Sequence, residues 1–391
     1  MHNTRKQGKS PVGYLPAVAR LLEWQETPPE QMEHVRAEMG VTQGIIIHTL
    51  KSFKIDVQPG EMTHGPRFTR YEFTVPQGKS VKSVAYRSSD IMAATRSYSI
   101  RIHTPIPGKP TVGIELENSE QETVYLREIV QETEYAQMHL PLALGRDVCG
   151  TPVVADLAEL PHLLLSGAPG SGVPEGLRAL LLSLLCKKLP QELELIFIDP
   201  SIIQLTPFCE LPHLITPLIT DVNLAARTLR WCIEEANRRY ILLSRTRALS
   251  LAEYNADASR APLPHLVVVL AELGHLMIDH REEMEGYLLR LTQKAGAVGI
   301  HLIIATQSPR NKVITDALRI HLPGRLAFRV GKAAESRTIL DDEGAESLLG
   351  SGDALYRSPS IPGHLTRLQI PHTTREDVAR VVSYFTHSKQ M

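Results

Sequence analysis

The sequence predicts an α/β protein in two parts, a small α+β unit followed by a larger domain wound around a parallel sheet. Three observations carry that expectation. From about residue 160 onward, apolar strand-length runs alternate with longer helical segments, the pattern of a sheet covered on both faces. A glycine-rich loop, "GAPGSG", follows the first of those runs. Upstream, residues 31 to about 130 carry short elements with alternation and turn signals instead.

Length and composition are compatible with this plan. The 391 residues suffice for two or three cores. With 43% hydrophobic and 22% charged residues and a formal net charge of −1, the chain is no polybasic binder, so any nucleic-acid site must be a local patch. Cys149, Cys186, Cys209 and Cys232 show no metal-ligand spacing and read as reduced core thiols of a cytoplasmic protein. No apolar run is long enough for a membrane helix. The basic start "MHNTRKQGKSPVG" precedes no hydrophobic segment, so it does not read as a signal peptide.

Residues 1–30 are expected to be a flexible lead-in and tether, 31–135 the α+β domain, and 136–391 the larger domain. In the first domain "PRFTRYEFTV", "YSIRIH" and "TVGIELEN" read as strands and "SSDIMAATR" as a short helix. The second opens with two or three strands in "LPLALGRDVCGTPVVADLAELPHLLLSG". Its further strands are "LELIFIDP", "HLVVVLAE", "IHLIIATQ" and "GRLAFRV". The intervening segments are long enough for crossover helices, and "GLRALLLSLL" is apolar nearly all round, as a central buried helix requires.

A strand, a glycine loop and a buried helix are the setting in which G-x-x-x-x-G binds phosphate. Here the loop is Gly167, Ala168, Pro169, Gly170, Ser171 and Gly172. The next two positions, where that motif needs Lys and Ser or Thr, are Val173 and Pro174.

Longer motifs then make the reading specific. "LPHLLLSGAPGSG", "IFIDP", "LPHLITPLITD", "LTQKAGAVGIHLIIATQSP", "VITDALR" and "SRTILDDEGAESLLGSGDALY" occur in the order of the FtsK/SpoIIIE DNA translocase motor, which the chain resembles from about residue 30 to 386. "GPRFTRYEF" and "IHTPIPGKPTVGIELEN" are similar to the α domain that precedes that motor. The resemblance implies a RecA-like P-loop NTPase sheet, the β motor domain, behind an FtsK α domain. It also implies a hexameric ring that threads duplex DNA at the expense of ATP. The family's transmembrane and winged-helix parts have no counterpart in these residues.

Against the family pattern, the chemistry has changed. The phosphate-bridging lysine is Val173 and the Mg²⁺-binding hydroxyl is Pro174. The Asp-Glu pair ending the next key strand is Ala271 and Glu272, leaving Glu272 as a vestigial catalytic carboxylate, a helix-start carboxylate or a surface ion pair. The arginine that acts across subunits is Gly296, and the lysine after "IDP" is Ser201. Retained are Asp199, a turn residue or a site residue; Gln307, a γ-phosphate sensor or a strand-end amide; and Arg325, Arg337 and Asp341, the two arginines expected at subunit contacts. Arg310, Lys312, Arg319 and Lys332 read either as a relocated basic patch for non-specific contact with DNA phosphates or as solvated surface charges.

The expected function is a motor-fold pseudo-ATPase that binds duplex DNA and assembles with itself or with intact family subunits. No cofactor is required, and ATP with Mg²⁺ is at most a weak ligand. An active translocase with an unorthodox site and a structural, protein-binding subunit are the alternatives.

Overall fold

A computed structural model describes residues 15–25, 29–76, 80–106, 109–361 and 363–387. The basic N-terminal stretch lies outside these. Two compact units emerge: Gln25–Val124 with Arg146–Pro152, and the rest of the described chain.

The smaller unit is a four-stranded antiparallel sheet in the order β1-β2-β4-β3, with β1 Gln58–His64, β2 Phe68–Thr74, β3 Ile100–His103 and β4 Val112–Glu117. Helix Pro29–Ser52 contains the β-branched run Ile45, Ile46 and Ile47, a poor local helix signal. It forms because Met39, Ile46 and Leu50 share one stripe, and that stripe joins Phe73, Ile91 and Ile114 in one core. The sheet also carries a buried charge. Glu115 is 1% exposed and accepts from Arg70 Nη2 at 2.6 Å and His103 Nε2 at 3.0 Å. Burial opposes its ionisation, but these two partners prevail and hold the carboxyl at about 2.

The larger unit is a mixed sheet of nine strands among the described residues, ordered β6-β5-β13-β12-β11-β7-β10-β9-β8. Its strands are β5 Pro141–Asp147, β6 Pro152–Asp156, β7 His162–Ser166, β8 Leu193–Ile198, β9 His265–Leu270, β10 Ile300–Thr306, β11 Gly324–Phe328, β12 Asp353–Arg357 and β13 Leu365–Gln369. From β11 through β7, β10 and β9 to β8 every pairing is parallel, while β12 and β13 add antiparallel partners. Strands β7 and β10 are buried at every position, as their unbroken apolar runs require. Helix Val173–Leu185 is buried around most of its circumference.

Residues 15–24 do not behave as the expected tether. Val18 and Ala19 are fully buried and Leu22 nearly so. Leu15 N–H donates to the Cys186 carbonyl at 2.6 Å, and Glu23 N–H to Asp377 Oδ1 at 2.7 Å. A proline-started turn followed by three apolar residues finds a core, which outweighs its Pro- and Glu-containing flank.

Three imidazoles lie at the amino ends of the central strands. His301 donates from Nδ1 to the Pro161 carbonyl at 3.1 Å, which leaves its Nε2 to accept from His265 Nδ1 at 3.2 Å. His162 Nδ1 accepts from Leu302 N–H at 3.0 Å. Burial holds all three below the usual histidine range, His162 at about 3, and the His301 ring adds to the effect on the other two. The unfolded chain takes up these protons below about pH 6.5 and the folded chain does not, so stability is full above that pH and falls with acidification. Each ring kept neutral costs roughly 2 kcal/mol at about pH 5, and thermal melts will show a lower midpoint there than at neutrality. An unchanged midpoint would contradict the neutral assignment.

Candidate functional site

The glycine loop leaves β7 at the carboxyl edge of the parallel strands, where open α/β sheets bind their ligands. Its shape is imposed by close packing. A Cβ on Gly167 would fall 2.6 Å from the Phe328 Cβ, and one on Gly176 the same distance from that ring's Cζ. Gly172 has φ +117° and faces the Gly352 amide, 2.8 Å from where a Cβ would stand. Two backbone bonds pin the loop: Ala168 N–H to the Arg329 carbonyl at 2.8 Å, and Gly352 N–H to the Ser171 carbonyl at 3.2 Å. Pro169 and Gly170 are exposed, while Ser171 is 4% exposed and its hydroxyl has no partner among the described residues. Val173 is fully buried in the helix's first turn, and Pro174 beside it brings neither hydroxyl nor N–H.

Glu272 follows the buried Ala271 at the end of β9. Its carboxylate caps helix Leu273–Asp279 by accepting from Gly274 N–H at 3.0 Å. It also accepts from the Thr306 hydroxyl and from Gln307 N–H at 2.9 Å. One side chain thus ties the end of β9 to the end of β10. Gln307 is half-buried beside it. Asp199 is fully buried and occupied by its own loop, accepting from Ser201 N–H at 3.0 Å and Gln204 N–H at 2.9 Å, and from the Ser201 hydroxyl. It acts there as a turn residue.

Gly296 stands at the other edge of the sheet. It precedes β10, whose seven residues span about 23 Å before reaching Thr306. A Cβ on Gly296 would lie 2.5 Å from Pro161 Cβ. Arg325, expected at a subunit contact, is turned into its own chain: its side chain is 8% exposed, pairs with Asp341, and donates to the carbonyls of Leu322 and Arg319 at 2.8 Å each. Arg337 is exposed and pairs with Glu343.

Of the four basic positions, Arg310, Lys312 and Lys332 are exposed. Arg319 is braced by Asp316 at 2.8 Å and Asp341 at 2.9 Å. Arg310 and Lys312 line a cleft of about 1250 Å³ that opens beside Pro174, Glu272 and Gln307. The same cleft is lined by Ile202, Ile203, Ile278 and Arg375, none of which the sequence reading singled out. Nor did that reading single out Phe328 as the floor of the loop; the pair Gly350 and Gly352 in "LLGSGD" was the one signal of a turn closing over it. Among the described residues no His, Cys, Asp and Glu grouping could hold a metal ion, and no helix is long and apolar enough to cross a membrane.

The "FtsK/SpoIIIE family" model matches residues 125–311, and the "FtsK alpha domain" model residues 15–118. DNA translocase FtsK of Haemophilus influenzae is 37% identical over 370 residues, 88% of this chain and 69% of that one. DNA translocase FtsK of Helicobacter pylori is 38% identical over 351 residues, and DNA translocase SftA of Bacillus subtilis 38% over 365. The matched region is 42% of the Helicobacter protein and 38% of the Bacillus one, so the chain spans about two fifths of those relatives. Among solved structures, the pCW3 conjugation coupling protein TcpA superposes with a TM-score of 0.62 at 18% identity, covering 88% of this chain and 99% of that one. The cytoplasmic domain of the Thermomonospora curvata Type VII secretion ATPase EccC gives 0.56 at 22%, covering 68% and 34%. At these identities the structures establish a shared fold.

The Glu272 geometry makes a stability prediction. Glu272→Ala strands the Thr306 hydroxyl and the Gln307 amide, and will lower unfolding free energy by about 2 kcal/mol in urea titrations. A change near zero would remove the tie between β9 and β10 from the account.

Proposed function

The chain belongs to the FtsK/SpoIIIE family, and from that premise we propose that it is a motor-fold protein that grips duplex DNA without hydrolysing ATP. The observation that carries the proposal is Val173, fully buried at the first helical position where a phosphate-bridging lysine would have to emerge. Phosphoryl transfer asks little of a protein beyond positioning and charge, so lost charges are lost catalysis. The lysine's charge is gone, and Lys187 and Lys188 sit about 20 Å further along the helix axis, too far to replace it. The donor set does not fit Mg²⁺: Pro174 and Ala271 carry no side-chain oxygen, and the Glu272 carboxylate is taken up by three hydrogen bonds. Gly296 removes the arginine that would act on a neighbour, a loss worth roughly 10³- to 10⁵-fold in rate by itself.

DNA contact rests on Arg310, Lys312 and Lys332, exposed cations beyond the ends of β10 and β11. With no aromatic side chains among them, they suit phosphates rather than bases, and a ring of six chains would repeat the patch around a duplex. Association with copies of itself or with intact family subunits belongs to the same reading. Arg319, also read from the sequence as part of the patch, is instead paired with Asp316 and Asp341.

Two measurements test this. ATP turnover with Mg²⁺ and duplex DNA will equal that of Glu272→Gln; turnover that the substitution abolishes would overturn the pseudo-ATPase reading. Duplex binding will weaken with salt regardless of sequence, and Arg310→Ala and Lys312→Ala will each flatten the log–log slope by about 0.9. Salt-independent binding, or none, would leave the protein-binding alternative in place.

A further inference from the structure

The cleft beside the glycine loop has a wall that neither phosphate nor DNA contact explains. The loop after β8 is built around Asp199, whose buried carboxylate accepts from the Ser201, Gln204 and Leu205 amides and the Ser201 hydroxyl. That knot holds Ile202 at φ +61°, with its N–H on the Asp199 carbonyl at 3.1 Å. A β-branched residue in the left-handed region is a genuine outlier, and glycine or asparagine would satisfy this turn without the crowding. Isoleucine in that conformation instead leaves its side chain 56% exposed, and the adjacent Ile203 is 73% exposed. Ile278, which lines the same cleft, is 71% exposed. Strain kept at a surface position, in order to display apolar groups that folding itself leaves uncovered, marks a contact surface.

Charge identifies the occupant. Arg310, Lys312 and Arg375 line the cleft with no ion-pair partner among the described residues. Of the two lining carboxylates, Glu272 is fully hydrogen-bonded within the protein, and Glu175 lies 4.0 Å from Arg178. The free charge of the cleft is therefore positive against an apolar wall. A duplex would use the cations but gain nothing from three exposed isoleucines, and the volume of about 1250 Å³ exceeds that of an ordinary small-ligand pocket.

We infer that this cleft docks an acidic, amphipathic segment of a partner protein, its apolar side chains on Ile202, Ile203 and Ile278 and its carboxylates on Arg310, Lys312 and Arg375. This goes beyond the DNA reading: it shares Arg310 and Lys312 with it and adds Ile202, Ile203, Ile278 and Arg375, which that reading does not use.

The test is fluorescence anisotropy of the full chain with a fluorescein-labelled amphipathic helical peptide of glutamate and leucine. A matched peptide of lysine and leucine is the control. The acidic peptide will bind and the basic one will not. Ile203→Glu and Arg375→Glu will each weaken binding by about tenfold or more, whereas Ile203→Leu will preserve it. Ile202→Gly, which relieves the backbone, will raise the melting temperature while weakening the peptide. Duplex affinity will be unaltered in Ile202→Gly, which changes no charge in the cleft, and this separates failure here from failure of the DNA reading. Equal binding of both peptides, or binding indifferent to these substitutions, overturns the inference. A shift in sedimentation on Ile203→Glu with peptide binding intact would assign the wall to a second copy of the chain and likewise overturn it.

Discussion

The ring of Phe328 sets the shape of the glycine loop, and much of the larger unit's carboxyl edge follows from it. Phe328 ends β11, fully buried, and leaves no room for a side chain at Gly167 or Gly176, while the Gly352 amide does the same at Gly172. Packing therefore requires the glycines whether or not a phosphate is bound. This is why a loop without its lysine still holds the form of a nucleotide site: the turn belongs to the core, and the charge was an addition to it. Val173 completes that logic, since an apolar residue in the first buried turn joins the core of the helix where a lysine would have had to leave it.

The same division runs through the rest of the site. Groups that serve folding are in place, and on the proposed reading the positions that would serve only phosphoryl transfer are replaced. Glu272 joins two strand ends, Asp199 shapes a loop, and Arg325 with Asp341 fastens residues around β11. On the proposed reading Ala271, Pro174 and Gly296 stand where charge or metal ligation would have served, whereas Ser201 serves the Asp199 loop. At Gly296, Pro161 occupies the space that a side chain would need first. On the proposed reading, family membership and hydrolysis are separable: the first rests on strands, turns and their order, the second on a few charges.

Much of this was legible from residues alone. The parallel strands announced themselves as unbroken apolar runs, because a strand buried on both faces has no polar alternation to show. The missing lysine, hydroxyl, aspartate and arginine were legible because each is a single position in an ordered motif. What could not be read came from tertiary context. Residues 15–24 look like a tether by composition, yet Val18, Ala19 and Leu22 are core. Arg325 looks like an interface cation until its carbonyl acceptors are seen. The strain at Ile202 has no local sequence signal, since a β-branched residue is a poor marker for a left-handed turn.

The central claim is that the loop has kept a fold and lost its charges and metal ligands. Calorimetric titration with a non-hydrolysable ATP analogue, with Mg²⁺ and then with the ion chelated, addresses it most directly. The account predicts the same heat and affinity in both conditions, or no binding in either, because neither Pro174 nor Ala271 offers the ion an oxygen. Tightening of about tenfold or more by Mg²⁺ would mean that a metal site survives, and would contradict it.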